Sequence, residues 1–404
     1  MANSNKGIPF KGTKALGILL VKGRNLVPSP AAKIMAFIYI AFRNKDNSKM
    51  LQHLFVRFLL LPLSLLYGFG VSIHRFLYLT EIIKPLKFSL PILSIGNLSV
   101  GGSGKTPHVE YLVQYLKNYV QVGVLSRGYN RKSTGFIWVE PYLKSDEAGD
   151  EPLQIKSKFP DVSVAVCESR VSGVSEMVAI NPALQVILLD DAFQHRAIKP
   201  ELDIILTTFQ QPFFSDYLLP FGRLREWRNA YKRADVLIVS KCPERLTEEI
   251  REDYLSKINP LPHQKVYFSS FKYGNPYHLF NPEIKWLPHQ LPSVLLVTAI
   301  ASVQYLEDYL KPRTSSLVHR AHEDHHYFTH YEMAQLRKKL DEMEGSQKII
   351  LTTEKDATRM WLHKDFIEKE NLPIFVLPVA VVFHGNDGNH FNEQIKQCLL
   401  DFQS

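Results

Sequence analysis

Ser94-Ile-Gly-Asn-Leu-Ser-Val-Gly-Gly-Ser-Gly-Lys-Thr-Pro107 is the stretch that decides the fold. It follows an apolar, strand-like run, Pro91 to Ile95. It precedes Val109, Leu112, Val113 and Leu116 at helical spacing, with Pro107 near the first helical position. Strand, glycine loop and helix in that order make a phosphate cradle, because loop amides and the positive end of the helix converge on one anion. Gly101, Gly102, Ser103 and Gly104 supply the backbone, Lys105 reaches the β and γ oxygens, and Thr106 is placed to hold Mg²⁺. The eight-residue pattern usually opens on Gly; here it opens on Ser99, while Gly96, Gly101 and Gly102 keep the loop permissive. ATP and Mg²⁺ are the expected cofactors.

Outward from this loop, further apolar runs read as strands: Val120 to Leu125, Val162 to Val166, Val186 to Leu189, Ile204 to Leu206, Asp235 to Val239 and Val266 to Phe268. They lack clean alternation, as parallel strands covered by helices on both faces do. A second set, Val294 to Val297, Leu317 to Val318, Ile349 to Leu351 and Ile374 to Leu377, is spaced by helical stretches such as Tyr331 to Met343. The fold class is therefore α/β: a P-loop NTPase-like parallel-sheet domain over 91–285 and a smaller C-terminal α/β domain over 286–404. The proline-bearing segment Trp286 to Pro292 is the linker.

Hydrophobic residues at 45% and charged residues at 22% describe a folded chain. The net charge of +8 is unevenly spread. Residues 1–49 hold nine basic groups and one acid, leaving 39 of each sign in the remainder. The folded part thus lacks the basic footprint that nucleic acid demands, and no nucleic-acid partner is expected. Residues 1–49 read as a basic extension, with Met50 an alternative start. Residues 50–90 form an apolar helical segment in which Phe58 to Ile73 is an uncharged run of 16 residues. A membrane span needs about 20 such residues. This run contains Pro62, Gly68 and Gly70, so lying on a membrane surface is the more economical reading and a single span the alternative. Cys167, Cys242 and Cys398 are too dispersed for a zinc or disulfide framework.

Two acids, Asp190 and Asp191, close the apolar run Val186 to Leu189, where a carboxylate pair holds Mg²⁺ or its waters beside a phosphate loop. Gln194 and His195 follow closely enough to touch phosphate or acceptor. Gly149-Asp-Glu-Pro152 and Asp324-His-His326 are two polar knots; a carboxylate and an imidazole brought together accept the proton of an attacking hydroxyl. His319, His322, His325, His326 and His330 could instead form a metal cluster. Arg127, Arg131, Arg170, Arg223, Arg225 and Arg228 are candidate phosphate-neutralising forks, and Leu219-Pro-Phe-Gly222 ahead of Arg225 and Glu226 reads as a site loop. Val239-Ser-Lys241 ends a strand in reach of a nucleotide base. These residues alone also leave open a membrane-tethered NTPase with a regulatory or assembly role, and a nucleotide-binding scaffold.

Taken in order, the motifs resemble the tetraacyldisaccharide 4'-kinase family. They are Leu61-Pro-Leu-Ser-Leu-Leu-Tyr-Gly68, the phosphate loop, Leu125-Ser-Arg-Gly-Tyr129, Gly149-Asp-Glu-Pro152, Asp190-Asp-Ala-Phe-Gln-His195, Leu219-Pro-Phe-Gly-Arg-Leu-Arg-Glu226, Asp324-His-His326 and Thr353-Glu-Lys-Asp-Ala357. The resemblance implies transfer of the ATP γ-phosphate to the 4'-hydroxyl of a lipid A disaccharide 1-phosphate at the cytoplasmic face of the bacterial inner membrane, the enzyme being peripheral or single-span. It implies Asp150 as the base, coupled to His325 or, second in preference, His326. It also places Tyr129, Glu151, Arg170, Gln194, His195 and Glu226 around the acceptor or the transferred phosphate. Three departures stand out: Ala192 for a usual Gly, Trp227 for a usual Pro, and Thr298-Ala-Ile-Ala301, which lacks a usual Gly and Asn-Pro.

Overall fold

The computed structural model describes residues 49–287 and 290–402, with residues 49–59 as main chain only. The basic extension, apart from Lys49, and part of the expected linker lie outside the described residues. Leu61–Ser404 is one compact unit.

Among the described residues, fourteen strands build two sheets. In chain order they are β1 Ile92–Asn97, β2 Val122–Ser126, β3 Ile137–Trp138, β4 Ser163–Val166, β5 Val186–Asp190, β6 Leu202–Thr208, β7 Val236–Ser240, β8 Lys265–Tyr273, β9 Tyr277–His278, β10 Leu291–Thr298, β11 Thr314–Ala321, β12 Lys348–Thr353, β13 Ile374–Leu377 and β14 Val379–Phe383. The larger sheet runs β14-β8-β7-β6-β1-β5-β2-β4-β3, parallel except at its two edges, where β14 and β3 pair antiparallel. The smaller sheet runs β11-β10-β12-β13-β9. Central strands such as β1, β2, β5 and β7 are buried along their whole length, which explains why they read as unbroken apolar runs.

The sheets exchange chain where the sequence suggested a single boundary at 286. Tyr277–His278 already pairs with β13 of the smaller sheet, while β14 returns to β8 of the larger one. The helix Asp387–Asp401 then buries Phe391 and Ile395 in the core under β1 and β6. Within the expected C-terminal domain over 286–404, Val379–Phe383 and the helix Asp387–Asp401 instead pack with the phosphate-loop sheet. The reason is physical, since β14 has an apolar face to cover and β8 offers a long open edge.

β1 lies between β5 and β6, so the chain leaves it in opposite directions and a crevice opens at the strand C-termini. Ile95 pairs with Asp190, which brings the phosphate loop and the acidic pair side by side.

The helix Lys49–Leu79 contains the stretch Leu60–Leu79, long and apolar enough to cross a membrane. From Leu61 on, its amphipathicity is inverted. Ser64 is buried and its hydroxyl donates to the Leu218 carbonyl at 3.0 Å, Tyr67 donates to the Arg225 carbonyl at 2.8 Å, and Trp227 Nε1 donates to the Gly68 carbonyl at 3.1 Å. Leu63, Leu65, Leu66, Phe69, Ile73 and Phe76 are exposed. A Cβ on Gly68 would stand 2.4 Å from the Trp227 ring, so glycine is what lets the indole close on the helix. Trp227, a departure from the family pattern, is thus a docking residue.

Asp203 at the start of β6 is buried; its Oδ1 has no hydrogen-bond partner, and Arg233 Nε stands 4.0 Å from Oδ2. Burial, with the Asp235 and Glu226 charges, pushes its pKa up to about 7. A carboxyl raised from an unfolded value near 3.9 gives stability that is complete below about pH 4 and lost as pH climbs to 7. Asp203→Asn should therefore gain on the wild type by about 2 kcal/mol between pH 5 and pH 8 in urea unfolding. A gap that does not change with pH would contradict this.

Candidate active site

A cavity of about 680 Å³ opens at the β1 and β5 ends. Its floor is Gly101 to Thr106, the loop expected to hold phosphate. Gly104 caps the helix Lys105–Leu116 in a left-handed conformation (φ 86°), and a Cβ there would also strike the Phe271 ring at 2.7 Å. Two independent constraints therefore demand glycine before the lysine.

Lys105 Nζ lies 3.4 Å from Asn97 Oδ1 and 3.6 Å from Asp191 Oδ1. Arg225 NH1 donates to Asp191 at 3.0 and 3.1 Å and to Gln194 Oε1 at 3.2 Å, while Gln194 Nε2 donates to the Asn97 carbonyl at 2.9 Å. Burial alone would raise the Asp191 pKa, but Lys105, Arg225 and Arg170 outweigh it and hold this carboxyl far below the usual range. Asp190 is the opposite case. It is buried beneath the cavity, neither carboxylate oxygen has a hydrogen-bond partner, and burial with the Glu151 and Asp191 charges pushes its pKa up to about 7. Arg170, also buried, donates to the Cys167 and Asp190 carbonyls at 2.7 and 3.2 Å and so braces the strand ends from below. Ala192 does not adopt a left-handed backbone, which is why alanine is tolerated there.

The two polar knots meet across 175 positions of sequence. His325 Nδ1 stands 3.1 Å from Asp150 Oδ2 and Tyr129 packs on the imidazole at 4.8 Å. His325, with φ 61°, is turned toward the cavity, which Tyr129, Glu151 and Asp324 also line. Lys355 Nζ bridges the knots at 3.0 Å from Glu151 Oε1, 3.1 Å from His325 Nε2 and 3.7 Å from Asp324 Oδ1. Beneath them Arg359, 1% exposed, pairs with Asp150 Oδ2 and, at 3.0 Å, with Asp356 Oδ1. Burial alone would raise the Asp150 pKa; the His325 imidazole 3.1 Å away and the Lys355 and Arg359 charges hold it well below the usual carboxylate range.

Several expectations change here. Asp150 sits behind His325 instead of lining the cavity, because Arg359 claims its carboxylate. His326 turns away from Asp150 to Glu332, at 3.0 Å, which leaves His325 as the imidazole paired with Asp150. Glu226 is held by Arg233 at 3.1 and 3.2 Å and does not line the cavity; His195 is likewise outside it, its pKa lowered to about 4 by burial and the Arg170 and Arg127 charges. The five-histidine cluster is dispersed: His319 goes to Glu307, His325 to Asp150 and His330 to the His363 ring. Asn97, Lys355 and Arg359 received no role from sequence, although Lys355 lies in one of the quoted motifs. Lys241 and Phe271 line the cavity beside the glycine loop, Lys241 with a pKa lowered by burial to about 8.

The family model for tetraacyldisaccharide-1-P 4'-kinase matches residues 56–400. The chain belongs to the tetraacyldisaccharide 4'-kinase family. It is 40% identical to the tetraacyldisaccharide 4'-kinase of Bacteroides thetaiotaomicron over 348 residues, covering 83% of this chain and 91% of that one. It is 37% identical to that of Flavobacterium psychrophilum over 337 residues, covering 82% and 94%. Among solved structures, LpxK from Aquifex aeolicus in complex with ATP is similar with a TM-score of 0.65 at 27% identity, covering 85% of this chain and 99% of that one. The resemblance read from the motifs is therefore borne out, as is the α/β fold with its parallel sheet and N-terminal apolar helix.

Proposed function

We propose that this chain transfers the γ-phosphate of ATP to the 4'-hydroxyl of tetraacyldisaccharide 1-phosphate, as its family does, on a P-loop NTPase-like architecture. The observation that carries the reading is one cavity holding both a phosphate loop and a carboxylate–imidazole pair. Hydrolysis in a regulatory NTPase needs the first but gives no role to the second.

The loop amides of Gly101 to Thr106 receive the phosphates and Lys105 neutralises the oxygens of the transferred group. The partnerless oxygens of Asp190, with the Thr106 hydroxyl and Asp191, are an all-oxygen donor set that suits Mg²⁺. Mg²⁺ bound there neutralises charge on the β and γ phosphates. Arg225 and Gln194 fix Asp191, and Arg170 fixes the backbone of Asp190. The acceptor hydroxyl gives its proton to the Asp150–His325 pair; His325 is the member that faces the cavity, and Asp150 orients it and stabilises its charged form. Glu151 and His325 Nε2 share the Lys355 ammonium, which has to leave that nitrogen before the acceptor hydroxyl can give it a proton, and Tyr129 packs the ring in place. Lys241 and Phe271, beside the glycine loop, line the cavity close to the phosphates.

The exposed apolar face of Leu63 to Phe76 lies on the inner-membrane surface, its polar stripe being already bonded to the protein, so attachment is peripheral instead of spanning. The lipid acceptor then reaches the cavity from the bilayer.

Incubation with Mg-ATP labelled at the γ-phosphate and a lipid A disaccharide 1-phosphate should place label in the lipid; label released only as free phosphate would favour the NTPase. In the same assay Asp150→Asn should lower turnover on the order of 10²-fold with little change in nucleotide affinity. An equal loss in ATP binding would take Asp150 out of proton transfer.

A further inference from the structure

His322, His326 and Glu332 converge on one point outside the phosphate cavity. Each offers a ligand atom, and the three atoms lie within 4.8 Å of one another. His326 Nε2 is 3.0 Å from both carboxylate oxygens of Glu332, and His322 Nδ1 is 3.7 Å from Oε1. The two imidazoles are stacked nearly parallel at 4.7 Å, with the Phe328 ring edge-on to both.

Two features separate this group from an ordinary surface cluster. Glu332 is immobilised, because its Oε2 accepts from the Thr329 amide at 2.8 Å and hydroxyl at 2.9 Å in a capping box, which leaves Oε1 toward the two rings. His322 is largely buried, and its Nδ1 stands 3.7 Å from the carboxylate, beyond hydrogen-bond reach. Donors on a tetrahedral ion with bonds of about 2.1 Å stand about 3.4 Å apart; the two imidazole–carboxylate separations, 3.0 and 3.7 Å, lie either side of that value, and all three ligand atoms fall within 4.8 Å.

We propose that His322, His326 and Glu332 form a three-ligand site for a divalent transition-metal ion of the zinc type. Two imidazoles and one carboxylate select such an ion over Mg²⁺, which prefers an all-oxygen shell. A fourth position stays open to water. Occupancy ties the end of β11 to the helix His330–Glu342 and pins the turn between them, the turn that presents His325.

Cobalt(II) is the probe, added to untagged full-length protein stripped with a chelator. The wild type should develop visible ligand-field absorption that saturates at equimolar Co²⁺, is displaced by Zn²⁺ and survives excess Mg²⁺. His322→Ala should lose it, Glu332→Gln, which keeps the helix cap, should weaken binding by about tenfold or more, and Lys105→Ala should retain it. Should His322→Ala fail to fold, His322→Asn checked by circular dichroism takes its place. No absorption in folded wild-type protein, or undiminished absorption in a folded His322 variant, overturns the site.

Discussion

Lys105→Ala lowers kcat/KM for phosphate transfer by about 10³-fold, while the protein remains folded. The ammonium is held by Asn97 and Asp191 at the mouth of the helix Lys105–Leu116, where the loop amides also point. Its charge acts on phosphate oxygens from a largely buried side chain, where water screens poorly. Loss of one such preorganised donor costs about 10²–10³-fold, and a full charge belongs at the upper end. Steady-state kinetics with Mg-ATP and the lipid acceptor measure it, and a variant within about tenfold of wild type would show that the phosphates bind elsewhere.

Arg359→Ala destabilises the chain by about 3–5 kcal/mol in urea unfolding. Arg359 is an internal cation between Asp150 and Asp356, 4% and 0% exposed, and its NH1 also donates to the His326 carbonyl at 3.3 Å. Its removal leaves two buried carboxylates without their guanidinium partner. Arg359→Lys retains the charge without the fork and recovers part of the loss. A destabilisation below about 1 kcal/mol would mean that the carboxylates find other partners. Because the same guanidinium holds Asp150 against His325, the variant should lose transfer as well.

The legible parts of this molecule were those whose signal is local. β13 matches its apolar run, Ile374 to Leu377, because burial on both faces leaves nothing polar to blur its ends. The phosphate loop was legible for the same reason: strand, glycines and helix occupy one short stretch. β3 and β9 escaped notice because a strand of two residues has no period to read. β14 was missed because Val379-Ala-Val-Val-Phe383 is a short apolar run without alternation, one residue after β13, and nothing local says which sheet it joins.

The candidate site divides along the same line. Lys105, Thr106, Asp190 and Asp191 announce themselves by position in the βα unit. Arg359 does not, since arginine is common on helices and its partner Asp150 lies 209 residues away. The family resemblance placed Glu226 at the site; adjacent residues on an extended segment point opposite ways, and while Arg225 reaches Asp191, Glu226 finds Arg233. The choice between His325 and His326 depended on a left-handed turn at His325 that no adjacent-residue pattern encodes.

The inverted helix has a consequence for anyone seeking a soluble form. Its apolar face invites deletion up to Leu79, as one trims a detachable anchor. Yet Tyr67 bonds the backbone of Arg225, whose side chain clamps Asp191 over the phosphate loop, and Gly68 covers Trp227. Trimming would strip the support from behind Asp191 and uncover an indole in its place. Solubility is better sought by exchanging the outward residues Leu65, Leu66 and Phe69 for polar ones, leaving the inward stripe untouched.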